Sequence, residues 1–145
     1  MFRTRMFAVV LAMIPVSGCS QRHILRMSNP EMSSTVTLFE QGAEDTADDD
    51  LTIVLDEPRR IAKVAAFFQA RAEKWTPLAK EFRRKPRATI TFRRNEQETD
   101  RFWLERDRLC LRQPNGEYYT CQLSDAERAE LMSIFRFTTN FKSDG

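Results

Sequence analysis

The Asn115–Gly116 pair is the feature that most constrains how this 145-residue chain can fold. Asn-Gly suits the two central positions of a type I′ turn, because both residues tolerate positive φ, and it is the strongest short-range signal for a β-hairpin. The flanking runs, 109–112 and 118–121, are rich in apolar, aromatic and β-branched residues, as strands are. The pair therefore predicts a hairpin with a two-residue loop.

A two-residue loop would also bring two cysteines together. In that register Cys110 lies directly opposite Cys121, at a Cα separation of about 4.5–5.5 Å, which is within disulfide range. We therefore expect a Cys110–Cys121 disulfide that contributes about 3 kcal/mol in the chain-entropy account. The alternative is a pair of reduced thiols on one face of the sheet.

Two stretches have the 3.6-residue periodicity of amphipathic helices. In residues 57–74, which Asp56 can cap, the apolar positions are Ile61, Val64, Ala65, Phe68 and Ala72. The second helix begins with a capping box formed by Ser124 and Glu127, and its apolar stripe comprises Leu131, Ile134 and Phe135. Each helix therefore has one face that must pack against another element.

The remaining periodic segments alternate as strands do. Residues 51–55 and 88–92 fit strands, and the opposite parity of Phe102/Leu104 and Leu109/Leu111 predicts a turn near residues 106–107. Residues 51–141 are thus expected to form one small α+β domain, in which an antiparallel meander sheet carries two helices on one face. The alternation that buries Phe102 and Leu104 turns Trp103 outward, which makes Trp103 a candidate contact residue.

Residues 19–50 have the composition of a flexible acidic linker. The stretch 42–50 is too poor in apolar residues to order itself. Residues 35–40 are a possible strand, and if that strand forms, the acidic run becomes a loop and only residues 20–34 form a tether. Residues 142–145 are expected to be a short tail.

Charge is strongly segregated along the chain. Nine acidic residues and no Lys or Arg lie between Glu31 and Glu57, whereas twelve basic and two acidic residues lie between Pro58 and Arg94. Such blocks often mark interaction surfaces. The candidate patch for an anionic partner comprises Arg83, Arg84, Lys85, Arg87, Arg93 and Arg94. In the alternative, residues 44–50 neutralise this patch within the same molecule.

The N-terminus has the order of a secretory signal. A positive segment that contains Arg3 and Arg5 precedes the apolar run 6–16 and the small residues Ser17 and Gly18. As a helix, the apolar run would reach roughly 16 Å, about half of the ~30 Å hydrocarbon thickness. It is therefore too short for a stable membrane span.

Val16-Ser17-Gly18-Cys19 resembles the lipobox of bacterial lipoproteins. The resemblance implies that the signal peptide, residues 1–18, is removed and that Cys19 carries diacylglycerol and a further acyl chain such as palmitate. The mature protein would then be held on a membrane and face the periplasm, and Ser20, in place of aspartate, implies the outer membrane over the inner one. An ordinary signal peptide cut near Gly18 is the alternative.

Lipidation of Cys19 has two further consequences. It leaves Cys110 and Cys121 as an even pair, and the oxidising periplasm favours a bridge between them. Removal of Arg3 and Arg5 also reduces the 23 basic residues to 21, which equals the 21 acidic residues.

Few residues of the chain suggest catalysis. His23 is the only histidine and lies beside the expected anchor, and four glycines leave no phosphate-binding loop. Neither zinc-site cysteine spacing nor a calcium-loop pattern occurs, so we expect no enzyme, no metal and no cofactor. A paired-carboxylate hydrolase remains an alternative on five carboxylates of the meander: Glu96, Glu98, Asp100, Glu105 and Asp107.

The expected function is a non-enzymatic binding or accessory role in the cell envelope. The expected partners are the membrane, through the N-terminal lipid, and an anionic envelope component or a protein, but no nucleic acid. The alternative is an inhibitor or immunity-like protein in which the hairpin 112–119 plugs the cleft of an envelope enzyme; this alternative rests on fold-level analogy.

Overall fold

The computed structural model of the protein describes residues 25–42, 49–78 and 86–136. Its elements in chain order are a 3₁₀ helix Pro30–Met32, β1 Thr35–Glu40, β2 Leu51–Leu55, α1 Pro58–Gln69, β3 Thr76–Leu78, β4 Ala88–Arg94, β5 Gln97–Leu104, β6 Arg108–Arg112, β7 Tyr118–Gln122 and α2 Asp125–Arg136. The expected signal peptide, Cys19, His23 and the tail lie outside the described residues.

The seven strands form one antiparallel sheet in the order β2-β1-β4-β5-β6-β7-β3. Strands β4 to β7 are consecutive neighbours, which confirms a four-strand meander. Alternate strand residues join the buried residues of both helices in one core cluster, which includes Val36, Ile90, Phe92, Phe102, Phe68 and Phe135. A small α+β domain is therefore confirmed, and the sheet face that packs on the helices is called the inner face below.

Helix α1 forms where the periodicity predicts, but it ends at Gln69 and not at residue 74. The chain then continues in tighter turns, in which the N–H groups of Arg71 and Ala72 donate to carbonyls three residues earlier. These turns carry Trp75 into the core, where it is 2% exposed. Asp56 does not cap the helix, because Glu57 occupies the N-cap position and no side chain bonds there.

Helix α2 begins with the predicted capping box. The Glu127 N–H donates to Ser124 Oγ over 3.1 Å, and the Ser124 N–H donates to Glu127 Oε2 over 2.9 Å. These two bonds satisfy backbone donors that would otherwise lack partners at the first turn of the helix. The sequence therefore marks the start of this helix correctly.

Residues 25–42 belong to the folded unit, whereas the composition of residues 19–50 suggests a linker. The possible strand at 35–40 is confirmed as β1, which lies between β2 and β4 and buries Val36 and Leu38 completely. Leu25 is also buried, and its N–H donates to the Ala72 carbonyl over 2.8 Å. The segment forms a strand although its average composition is polar, because its β-branched and aromatic side chains pack beside a central strand.

The hairpin at residues 113–117 has a three-residue loop, not the expected two-residue loop. The Gln113 N–H donates to the Glu117 carbonyl over 2.8 Å, and Gly116 has φ of 86°. This is the geometry of a type I turn followed by a left-handed glycine. Pro114 explains the difference, because its fixed φ near −65° suits the second position of a type I turn.

The longer loop shifts the strand register by one residue and overturns the expected disulfide. Cys121 lies opposite Leu109, and Cys110 lies opposite Thr120, so the two cysteines point to opposite faces of the sheet. Both are free and buried. Burial raises the pKa of both thiols above their ordinary value, and they remain neutral at pH 7.

Candidate binding surface on the outer face of the sheet

The face of the sheet opposite the helices, called the outer face, carries a distinct set of side chains. Neither described helix packs on it, since the buried residues of both helices belong to the core on the inner face. Strand pairing assigns to the outer face the threonines Thr35, Thr37, Thr89, Thr91 and Thr120, the aromatic residues Phe39, Trp103 and Tyr118, and the arginines Arg93, Arg101, Arg108 and Arg112. This composition suits contact with a polar, anionic partner.

Trp103 and Tyr118 form the centre of this surface. Their ring centroids lie 6.3 Å apart and their planes differ by 27°. Cys110 lies on β6, the strand between the two aromatic residues, directly opposite Trp103. Its side chain points to the outer face and is fully buried. The small Cys110 side chain thus leaves room for two nearly parallel rings over the middle strand. The outward orientation expected for Trp103 is present, and its role as a contact residue stays a prediction.

Arginines extend the aromatic pair. The Arg112 guanidinium lies 5.9 Å from the centroid of the Tyr118 ring, within cation–π range. Arg101 and Arg108 are held by ion pairs, to Glu98 at 2.5 Å and to Glu105 at 2.6 Å. The hydrogen bond to Glu105 is also the main reason why the pKa of Arg108 is raised. Arg112 makes no ion pair with any described residue, so none of these residues neutralises its charge.

The sequence-predicted basic patch is not gathered into one place. Arg87 precedes β4, whereas Arg93 and Arg94 lie at its far end, roughly 20 Å away along the strand. The Arg94 Nη2 donates to the carbonyls of Ser28 and Asn29 over 2.9 and 3.0 Å, so it secures the N-terminal segment. Residues 83–85 lie outside the described residues, as do residues 44–48, and neutralisation of one run by the other stays a prediction.

Arg87 lines an open cleft of about 240 Å³ at the end of β1 and β4. The charged side chains of its lining are Glu40, Arg87 and Arg128, so one carboxylate faces two guanidinium groups. Arg128 also donates to the Arg106 carbonyl. The cleft has the size for a small anion.

Four of the five meander carboxylates have structural partners. Glu98 and Glu105 form the ion pairs described above, and Asp107 accepts a bond from Gln122 Nε2 over 2.9 Å. Burial raises the pKa of Asp100, which accepts a bond from the Ser28 N–H over 3.2 Å. Glu96 lies exposed in the β4–β5 turn. Among the described residues no group of three His, Cys, Asp or Glu side chains is arranged to hold a metal ion.

Tyr118, Arg112 and the threonines were not singled out by the sequence. Their shared face depends on the register of the hairpin, which the Asn-Gly signal mispredicts by one residue. In the predicted register Arg112 would lie opposite Tyr119, a core residue, and the pairing of Arg112 with Tyr118 would not be visible. The signal that could have found them is the Pro114-Asn115-Gly116 triplet, which favours the three-residue loop.

Comparison of the chain with protein-family models, with curated proteins and with solved structures finds no significant match. Within the described parts of the chain, no helix has the length and apolar character needed to cross a membrane.

Proposed function

We propose that this protein is a lipid-anchored, non-enzymatic binding protein of the bacterial cell envelope, and that its outer face binds an anionic glycan. The observation that carries the proposal is the nearly parallel Trp103–Tyr118 pair, flanked by Arg112, on a sheet face that neither described helix covers. The anchor rests on the resemblance of residues 16–19 to a lipobox, and Ser20 favours the outer membrane.

The chemistry of the outer face fits a sugar polymer with acidic groups. Flat aromatic rings offer apolar surfaces on which the C–H faces of sugar rings can pack. The partly exposed hydroxyls of Thr35, Thr37 and Thr89 can both donate and accept hydrogen bonds, as sugar hydroxyls require. The Arg112 guanidinium can bind a carboxylate or phosphate through two parallel hydrogen bonds. A sheet also spaces these groups regularly, which matches a repeating ligand.

The reach of the anchor limits where such a ligand must lie. Five residues separate Cys19 from Leu25, the first described residue and part of the core, so the six Cα–Cα steps span at most about 20 Å. A domain held this closely meets polymers near the membrane surface. Leu25 donates a hydrogen bond to Ala72, just beyond α1, so a lipid on Cys19 would tether the domain from that side.

The test uses the mature protein carrying Cys19→Ser, which removes the lipid. Its cosedimentation is measured with purified peptidoglycan and, separately, with lipopolysaccharide. We expect the double variant Trp103→Ala/Tyr118→Ala to weaken binding about ten- to hundredfold. Met32→Ala is the control, since Met32 is 64% exposed but lies in the 3₁₀ helix, off the outer face. Binding should also weaken as salt is added, because the partner is anionic. Equal loss in both variants, or no binding to either polymer, contradicts the proposal.

A second candidate function is inhibition of an envelope enzyme by the loop 113–117. The loop is well ordered, because Asn115 Oδ1 accepts from the Glu117 N–H and Asn115 Nδ2 donates to Glu117 Oε2, each over 3.0 Å. A pre-organised loop binds a cleft at low entropic cost. In a crosslinking pull-down of the lipidated protein, a single stoichiometric enzyme would favour inhibition, whereas retention by wall or lipopolysaccharide would favour the glycan-binding proposal.

A further inference from the structure

The two edges of the sheet differ in how well they are protected. At one edge β3 has only three residues, with Pro77 in the middle, and a proline cannot donate a hydrogen bond to an added strand. At the other edge β2 has five residues, Leu-Thr-Ile-Val-Leu, with neither proline nor charge. Among the described strands β2 pairs with β1 alone. One side of its backbone therefore pairs with no described strand, and natural proteins usually avoid leaving an apolar strand open in this way.

The side chains of β2 are also unusually exposed. Leu51 is 47% exposed and Val54 is 51% exposed, and Phe39 of the neighbouring strand is 40% exposed. Val54 points to the outer face, while Ile53 packs at the margin of the core on the inner face. An added strand would thus find apolar contacts on both faces of the sheet, in addition to backbone hydrogen bonds.

Acidic residues flank β2 at both ends. Asp49 and Asp50 precede the strand, and Asp56 and Glu57 follow it. An antiparallel pairing of two copies through β2, centred on Ile53, would place Asp50 opposite Asp56 and Asp49 opposite Glu57 of the second copy. Like charges at opposed positions are destabilising, so this edge disfavours a second copy of the chain and favours a strand with basic ends.

We propose that β2 is a docking edge for an extended segment of another protein, in which an apolar strand is flanked by Lys or Arg residues. The segment adds an eighth strand beside β2, and its basic ends meet the two acidic pairs. This surface is separate from the Trp103–Tyr118 pair, and the proposal does not depend on the proposed glycan binding.

The test uses the mature chain and a synthetic peptide in which alternating valine and threonine are flanked by lysines at both ends. Wild-type protein should bind the peptide in a calorimetric titration, and the amides of β2 should gain protection from hydrogen exchange. Val54→Lys, which places a charge on the edge, should weaken binding at least about tenfold. Met32→Lys is the matched control, because Met32 is 64% exposed but lies in the 3₁₀ helix; this variant should bind as the wild type does.

The charge requirement is tested separately. A peptide with glutamates in place of the lysines should bind at least about tenfold more weakly at low salt, and the combined variant Asp49→Asn/Asp50→Asn/Asp56→Asn/Glu57→Gln should lose this preference. Absence of peptide binding, or equal binding by Val54→Lys, would overturn the proposal. So would a stable dimer in sedimentation analysis that Val54→Lys dissociates, since a second copy would then occupy the edge.

Discussion

Glu127 joins the start of α2 to the turns that follow α1, and its replacement by glutamine should destabilise the fold in a pH-dependent way. One carboxylate oxygen accepts the Ser124 N–H, and the other accepts Arg71 Nε at 3.0 Å and Lys74 Nζ at 3.1 Å. These bonds lower the pKa of Glu127 from 4.5 to about 2, the backbone bond to Ser124 contributing most. Arg71 itself is only 9% exposed, so its charge requires this partner.

The magnitude follows from linkage between proton binding and folding. The fall in the pKa of Glu127 from 4.5 to about 2 corresponds to roughly 3 kcal/mol of stability as an upper limit, and partial solvent access to the side chain reduces this to about 1–2 kcal/mol. Because the pKa is lowered in the folded state, the stabilisation is fully present above pH 4.5 and is lost as the pH falls through about 2.

The assay is urea unfolding of the wild type, Glu127→Gln and Glu130→Gln at pH 7 and at pH 2.5. Glu130 also pairs with Arg71, but its side chain is 58% exposed, so Glu130→Gln should cost less than about 0.5 kcal/mol. Glu127→Gln should lower the free energy of unfolding by about 1–2 kcal/mol at pH 7, and the difference should shrink at pH 2.5. Equal effects of the two variants, or a Glu127→Gln effect that does not depend on pH, would refute the reasoning.

Three further predictions concern the hairpin and the core. Thiol alkylation of the unfolded mature protein under non-reducing conditions should label both Cys110 and Cys121, and the folded protein should react slowly because both thiols are buried; an intact disulfide would contradict the observed register. Gly116→Ala should lower the free energy of unfolding in urea by about 1 kcal/mol, because alanine is strained at a φ of 86° even though the space around Gly116 is open. An unchanged stability would contradict the loop geometry. Phe68→Ala should cost about 3–5 kcal/mol, because Phe68 is 1% exposed and contacts Phe92 and Phe102; a loss under 1 kcal/mol would contradict its central position.

Long periodic segments were predicted well from the sequence. Both helices form where apolar residues recur at helical spacing, and the capping box at Ser124 marks the start of α2. The alternation at 88–92 correctly predicts a strand, and the change of parity between Phe102 and Leu109 correctly predicts the turn between β5 and β6. These signals succeed because each is averaged over several buried residues.

Short turn signals were less reliable. Asn115–Gly116 does not form a two-residue loop, whereas Asn95 and Glu96, with φ of 49° and 68°, form such a loop between β4 and β5. Neighbouring residues decide the turn: Pro114 favours the longer loop, and pairing of two long strands imposes the tight turn at residue 95. An error of one residue in a loop exchanges the two faces of a strand, and the disulfide prediction failed for this reason.

The candidate surface depends on strand order, which local sequence does not specify. The alternation of buried residues correctly predicts that Trp103 points outward. Its neighbour Tyr118, however, lies two strands away across β6. Conversely, Arg87 and Arg94 are close in sequence yet lie at opposite ends of β4. Short elements also give weak signals, and β3, with three residues and a proline, was not predicted for this reason.

Attachment to the envelope through Cys19 is the claim on which the proposed function depends most. Mass spectrometry of the protein purified from its native host measures it directly. The account predicts a chain that begins at Cys19 and carries the mass of a diacylglycerol group and an additional acyl chain. A chain that retains residues 1–18 and an unmodified Cys19 thiol would contradict it.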